Sequence, residues 1–168
     1  MAPPQTTVMI QCIGSRSDEF PLCSRVCCAG AVKNAILLKE KDPAAAVYIF
    51  FRDVRTFGFK EAYYRKARDL GVIFIKFDPQ APPEVTADGD ALRVKAFDSA
   101  SQMVIVIEPD VLVLSTGIRP QPGVENLGRI LKLPFTAEGF FMEAHPKLSP
   151  LDFSRPGIFV CGLAHSPR

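Results

Sequence analysis

The chain has no long hydrophobic run. No apolar stretch approaches the roughly 18–20 residues that a bilayer span requires, so no transmembrane helix is expected. The start, Met1-Ala2-Pro3-Pro4-Gln5, lacks the basic and apolar regions of a signal peptide, and the cytoplasm is the expected compartment. Neither charge sign is in excess. Twenty Lys and Arg face eighteen Asp and Glu, for a formal charge of +2, and the signs are interleaved. With no basic stripe and no acidic tail, nucleic acid is not an expected partner. Internal repeats and low-complexity segments are absent, and the fifteen prolines mostly punctuate loops.

What is present is ordinary for a globular fold: 168 residues, 48% hydrophobic and 23% charged, enough for a proper core without staples. Neither end resembles a natural domain end, so the chain is expected to be an internal piece of a longer protein. Four of the five cysteines fall within Cys12, Cys23, Cys27 and Cys28. In the cytoplasm stable disulfides are rare, and clustered thiols are more often ligands or catalytic groups than cross-links.

Val8 to Ile13 is a short β-branched run ending at Gly14, which predicts a buried strand leading into a loop. Apolar residues then recur at helical spacing from Ser24 to Lys41, and Asp42-Pro43 stops that helix. A strand over 47–51 follows, with Arg52-Asp53 where such folds turn toward a ligand. Next come a helix over 59–70 with Gly71 as C-cap, and a strand over 72–77. Residues 84–87, 92–97 and 103–108 read as an antiparallel meander joined by the turns Asp88-Gly89-Asp90 and 98–101. Asp110 to Leu114 rejoins the parallel sheet, and Ser115-Thr116-Gly117 closes it. Beyond lie a short helix over 124–131 and strands over 139–141 and 157–161. The class is α/β: a parallel sheet with helices plus an antiparallel insert.

A dinucleotide-binding turn places Gly-x-Gly-x-x-Gly between the first strand and helix, so that backbone can approach a pyrophosphate. Here Gly14 stands alone before a loop bearing thiols, and an ordinary NAD(P) site is not expected at this turn. The cysteine spacing matches neither bacterial ferredoxins nor zinc ribbons. Cys23, Cys27 and Cys28 are expected on the first turn of one helix, opposite Cys12 at the strand end. Helix amides with Arg16 and Arg25 would stabilise thiolates there. The residues alone leave open a disulfide staple, a redox dithiol, an iron-sulfur site, a zinc site, or small buried residues filling a helix-strand contact. Thr116-Gly117 and Gly157 to Gly162 offer glycine at strand ends, where backbone can lie close to a flat cofactor. Cys161 is expected in the core, His145 in a loop without metal partners, and His165 near the surface.

Taken together, Gln11-Cys12-Ile13-Gly14-Ser15-Arg16, Cys23-Ser24-Arg25-Val26-Cys27-Cys28, Val113 to Gly117, Glu143-Ala144-His145-Pro146-Lys147-Leu148 and Gly157 to Gly162 resemble the flavoprotein A subunit of heterodisulfide reductase. They are also similar to the related flavoprotein subunit of quinone-interacting membrane-bound oxidoreductase complexes. The resemblance implies a thioredoxin-reductase-type architecture. Residues 1–117 would form a Rossmann-like inserted domain, and 118–168 a partial return segment of the FAD domain. It further implies that Cys12, Cys23, Cys27 and Cys28 ligate a [4Fe-4S] cluster, and that Thr116, Gly117 and Gly162 contact FAD in the full-length protein. Thioredoxin reductases carry an aspartate after that last glycine to hold the ribityl chain. Leu163 stands there instead, leaving Ala164 and His165 as flavin contacts. Expected partners are other subunits of an electron-transfer complex, which would attach the protein to the inner membrane face. The isolated piece is expected to be catalytically inert and to self-associate through apolar surface left uncovered. The alternatives are a zinc- or dithiol-stabilised interaction domain and a pyridine-nucleotide-binding domain.

Overall fold

The computed structural model describes residues 4–89 and 91–167. Two compact units arise: residues 1–14 with 26–116, and residues 15–25 with 117–168.

In the first unit, the alternation of β-branched runs and helical stretches builds a parallel sheet. Its strands are β1 (Thr6–Ile10), β2 (Ala46–Phe51) and β3 (Ile73–Lys76), with the helices α1 (Cys27–Lys41) and α2 (Glu61–Asp69) following β1 and β2. A three-stranded antiparallel sheet, β4 (Glu84–Asp88), β5 (Ala91–Asp98) and β6 (Met103–Ile107), precedes β7 (Val111–Leu114). The parallel order is β3-β2-β1-β7, so the direction of winding reverses at β1. That reversal puts the crevice at the carboxyl ends of β1 and β7, where open α/β sheets bind ligands.

Strand pleat sorts the core into two layers. Met9, Val47 and Ile49 face the helices and pack with Val32, Ala35 and Ile36 of α1 and Ala67 of α2. Val8, Ile10, Phe50 and Ile75 point the other way, against Val94, Ala96 and Ile107 of the antiparallel sheet. Each such fully buried aliphatic or aromatic side chain contributes about 1.5–3 kcal/mol. Buried Lys39 in the last part of α1 is satisfied by two carbonyls, donating from Nζ to Pro43 O at 2.6 Å and Ala45 O at 2.9 Å.

Several boundaries differ from those expected. β1 stops at Ile10 rather than Ile13, because Cys12 has left-handed backbone (φ 63°) that no strand continues through. Helix α1 starts at Cys27 rather than Ser24, since Arg25 is also left-handed (φ 59°). Cys23 therefore lies in the loop, not on the helix. Gly71 takes the left-handed position just past α2, its N–H reaching Arg68 O at 2.9 Å, as expected of a C-cap. In the turn Asp88-Gly89-Asp90, Asp90 lies outside the described residues.

The second unit holds α3 (Val124–Leu131) and loops folded around Leu133, Phe141, Phe153 and Val160. Phe141 stacks on Phe135 and meets Phe153 edge-on. The expected strands over 139–141 and 157–161 reduce to the isolated bridges Phe135–Phe141 and Asp152–Phe159. Gly139 and Gly157 are left-handed (φ 86° and 82°), which turns the chain away from a continuous ladder. Cys161 is exposed rather than part of the core.

Candidate functional site

In the first unit the loop leaving β1 begins with two close approaches. Ser115 N donates to Ile10 O at 2.9 Å, and Gln11 N donates to Phe50 O at 3.0 Å, so the ends of β7, β1 and β2 are locked together. Gly14 then passes over Thr116: a Cβ built on it would stand 2.9 Å from Thr116 O. With φ at 79° as well, only glycine fits without strain. Gly14 is thus needed for backbone packed against backbone.

Cys27 and Cys28 open α1, at the end of the sheet where Cys12 leaves β1. Cys28 is buried, while Cys12, Cys23 and Cys27 are half-buried, and all five cysteines of the chain are thiols. The Cys28 thiol is directed at Asp53 O, 3.8 Å away, just past the end of β2. The α1 N-terminus receives no side-chain cap and has no acidic residue in its first turn. The positive end of the helix dipole therefore meets no acidic side chain from its own first turn.

In the second unit the Arg25 amide donates to Cys23 Sγ at 3.3 Å. Ser24 Oγ accepts from Ile118 N at 2.7 Å, fixing the cysteine loop to the segment after Gly117. Arg119 lies over the Phe20 ring, 4.7 Å from its centroid. Arg16 and Arg25, like Cys12, hold left-handed backbone (φ 59° for both). Non-glycine residues in that region persist where their surroundings over-determine them, and such outliers gather at ligand clamps. Among the described residues, no group of three or more His, Cys, Asp and Glu side chains is placed to hold a metal ion.

The residues expected near a flavin are distributed as follows. Gly117 and Gly162 are left-handed (φ 87° and 59°), and a Cβ at Gly162 would meet open space, leaving bare backbone at its surface. Ala164 lines a cleft of about 320 Å³ together with Ile118, Arg119, Phe140 and Leu163. Its carbonyl accepts from Phe141 N at 3.0 Å. His165 is not simply exposed: Nε2 pairs with Glu143, and both side chains are largely buried. His145 is in an exposed loop, where Nδ1 accepts from the amides of Lys147 and Leu148.

Sequence reasoning overlooked Glu143, whose partner is distant in sequence and marked by no periodicity. It also passed over Gln11 and Ser115, although a glutamine in the apolar run Val8-Met9-Ile10-Gln11 was a visible signal. Both are part of one half-buried contact, with Ser115 Oγ donating to Gln11 Oε1 at 3.0 Å.

No protein-family model matches the chain. Among characterised proteins, it is 41% identical to the A subunit of the ferredoxin:CoB-CoM heterodisulfide reductase of Methanosarcina acetivorans, over 98% of this chain and 21% of that protein. It is 40% identical to the iron-sulfur A subunit of the CoB--CoM heterodisulfide reductase of Methanocaldococcus jannaschii, over 98% of this chain and 26% of that one. The chain is a homologue of the heterodisulfide reductase A subunit. An A-subunit-like heterodisulfide reductase protein of Archaeoglobus profundus is 41% identical over 98% of the chain. The chain spans only about a fifth to a quarter of the length of these heterodisulfide reductase relatives.

Solved structures agree on the fold. Thioredoxin reductase of T. acidophilum superposes with a TM-score of 0.59 at 20% identity, over 97% of this chain and 45% of that one. The Lactococcus lactis enzyme gives 0.59 at 17% identity, over 96% and 45%. The α/β, Rossmann-like architecture expected of a heterodisulfide reductase homologue of this kind is thus the one observed. Among the described residues, no helix is long and apolar enough to cross a membrane.

Proposed function

We propose that this chain is the cluster-holding part of an electron-transfer flavoprotein of the heterodisulfide reductase type. Cys12, Cys23, Cys27 and Cys28 would ligate a [4Fe-4S] cluster, and Thr116, Gly117, Gly162, Ala164 and His165 would belong to the FAD site of the full-length protein. Residues 1–117 would be the inserted Rossmann-like domain and 118–168 the return of the FAD domain. The observation that carries this reading is the pair Cys27 and Cys28 on the uncapped first turn of α1, at the sheet reversal where a dinucleotide fold would seat phosphates.

The donor set suits the group. Four thiols come from one short stretch, the α1 amides favour negative charge, and Arg25 N already donates to one sulfur. Ligation asks two things of the chain: the Cys28 proton now directed at Asp53 O must leave, and the 12–28 loop must draw its thiols together. Metal binding commonly supplies the free energy for such closure. When bound, the cluster supplies single-electron transfer and the flavin links single-electron to paired transfers. The chain's own residues would hold sulfur, present bare backbone at Gly162 and left-handed backbone at Gly117, and keep His165 oriented through Glu143. Electrons would pass to partner subunits at the cytoplasmic face of the membrane, and substrate reduction would lie elsewhere.

Iron, acid-labile sulfide and flavin content of the protein carrying this chain, purified without oxygen, tests the reading. Stoichiometric flavin with iron is expected. Zinc in place of iron would instead assign the cysteines to a structural metal site.

A further inference from the structure

Gln11 is a buried side chain, 1% exposed, whose Nε2 has no hydrogen-bond partner. An orphaned buried donor costs about 1–3 kcal/mol, so native structures rarely keep one without an acceptor that belongs there. Pleat and register locate it. Thr7 and Met9 face α1, and two residues further along the strand direction Gln11 falls on that same face. Across the sheet Met9 pairs with Val113, which puts Ser115 beside Gln11 on the same side. A helix following a parallel strand runs back along the sheet, so the end reached by Gln11 is the end where α1 begins with Cys27 and Cys28. Cys12 is its chain neighbour.

We infer that the Gln11 side-chain amide donates an N–H···S hydrogen bond to a sulfur of the thiolate cluster, holding its reduction potential up. The inference rests on the cluster reading above and adds a residue to it. Reduction makes the cluster more negative, and a donor aimed at sulfur stabilises the reduced state more than the oxidised one. Ser115 holds the amide in place, its hydroxyl donating to Oε1 at 3.0 Å in this orientation. An anionic site selects the same orientation, because the flipped amide would present its carbonyl oxygen to thiolates.

The test uses the protein carrying this chain, purified without oxygen, with iron and sulfide counted before each redox titration. Gln11→Leu and the near-isosteric Gln11→Glu, which keeps an acceptor for Ser115, are both expected to shift the cluster to lower potential at unchanged iron content. Unchanged potential with full iron overturns the inference alone. Absence of iron from the unaltered protein overturns the cluster reading, and the inference with it. A measurement needing no variant completes the set: with glutamine side chains labelled with ¹⁵N, pulsed EPR of the reduced cluster is expected to detect a coupled nitrogen. Its absence refutes the N–H···S bond even if both substitutions disturb folding.

Discussion

Replacing Gly14 with alanine adds a single carbon where there is no room for it. The new Cβ would stand 2.9 Å from Thr116 O, a backbone atom tied to the end of β7, and the residue would keep a φ of 79°. The left-handed conformation alone costs an alanine roughly 1–2 kcal/mol. Relieving the contact means separating the loop from β7, whose neighbour Ser115 is bonded to Ile10, so one or more of these bonds lengthens. A total loss of about 2–4 kcal/mol is expected for Gly14→Ala. Gly30 provides the opposite case in the same unit. It lies inside α1, and a Cβ there would meet nothing within 4 Å. Gly30→Ala should therefore stabilise by about 0.5–1 kcal/mol, through helix propensity and a less flexible unfolded chain. Equilibrium urea unfolding, followed by far-ultraviolet circular dichroism, compares both variants with the parent. A Gly14→Ala protein as stable as the parent would refute the close packing of the cysteine loop on β7. Destabilisation by Gly30→Ala would refute the open helical environment assigned to that position.

Further outcomes follow from individual contacts. Lys39→Met keeps the buried stem but removes both hydrogen bonds to Pro43 O and Ala45 O, and a loss of about 1–3 kcal/mol is expected by thermal unfolding. Asp98 is held below its ordinary carboxylate value by the Ser101 hydroxyl, with the Ala100 and Ser101 amides adding to it. A depressed folded value means that its stabilisation is present above the unfolded pKa and lost as pH falls through the folded one. NMR titration should find a midpoint under 3.8 that rises in Ser101→Ala; an unmoved midpoint would contradict the assigned cause. His165→Asn should lower the melting temperature, by removing the imidazole from buried Glu143, without changing the iron content of the protein. Loss of iron in that variant would instead make His165 part of the cluster site.

Where apolar pattern alone decided the outcome, the sequence was readable. The runs around Val8, Val47, Phe74 and Val113 became the parallel strands, and the alternation from Glu84 to Ile107 became the antiparallel sheet. The boundaries next to the cysteines were not readable, because left-handed backbone at Cys12 and Arg25 is set by tertiary surroundings and not by residue type. The apolar stretches at 139–141 and 157–161 read as strands from apolar pattern alone, although loop packing around Phe141 and Phe153 replaces a ladder there. The four cysteines stood out as a set from their spacing and their likeness to a known family. Their support did not: the Gln11–Ser115 and Glu143–His165 contacts join residues far apart in the chain, a relation that neither periodicity nor motif encodes.

The proposed ligation of a [4Fe-4S] cluster by Cys12, Cys23, Cys27 and Cys28 requires that these thiols take up iron. Anaerobic reconstitution with iron and sulfide checks this, comparing the unaltered protein with Cys28→Ala and with Cys161→Ala, whose cysteine is exposed and lies outside the 12–28 stretch. About four irons per chain belonging to this site, with visible absorption lost in Cys28→Ala and retained in Cys161→Ala, is the expected result. Tight stoichiometric zinc with no iron uptake, or equal iron in all three proteins, would contradict it.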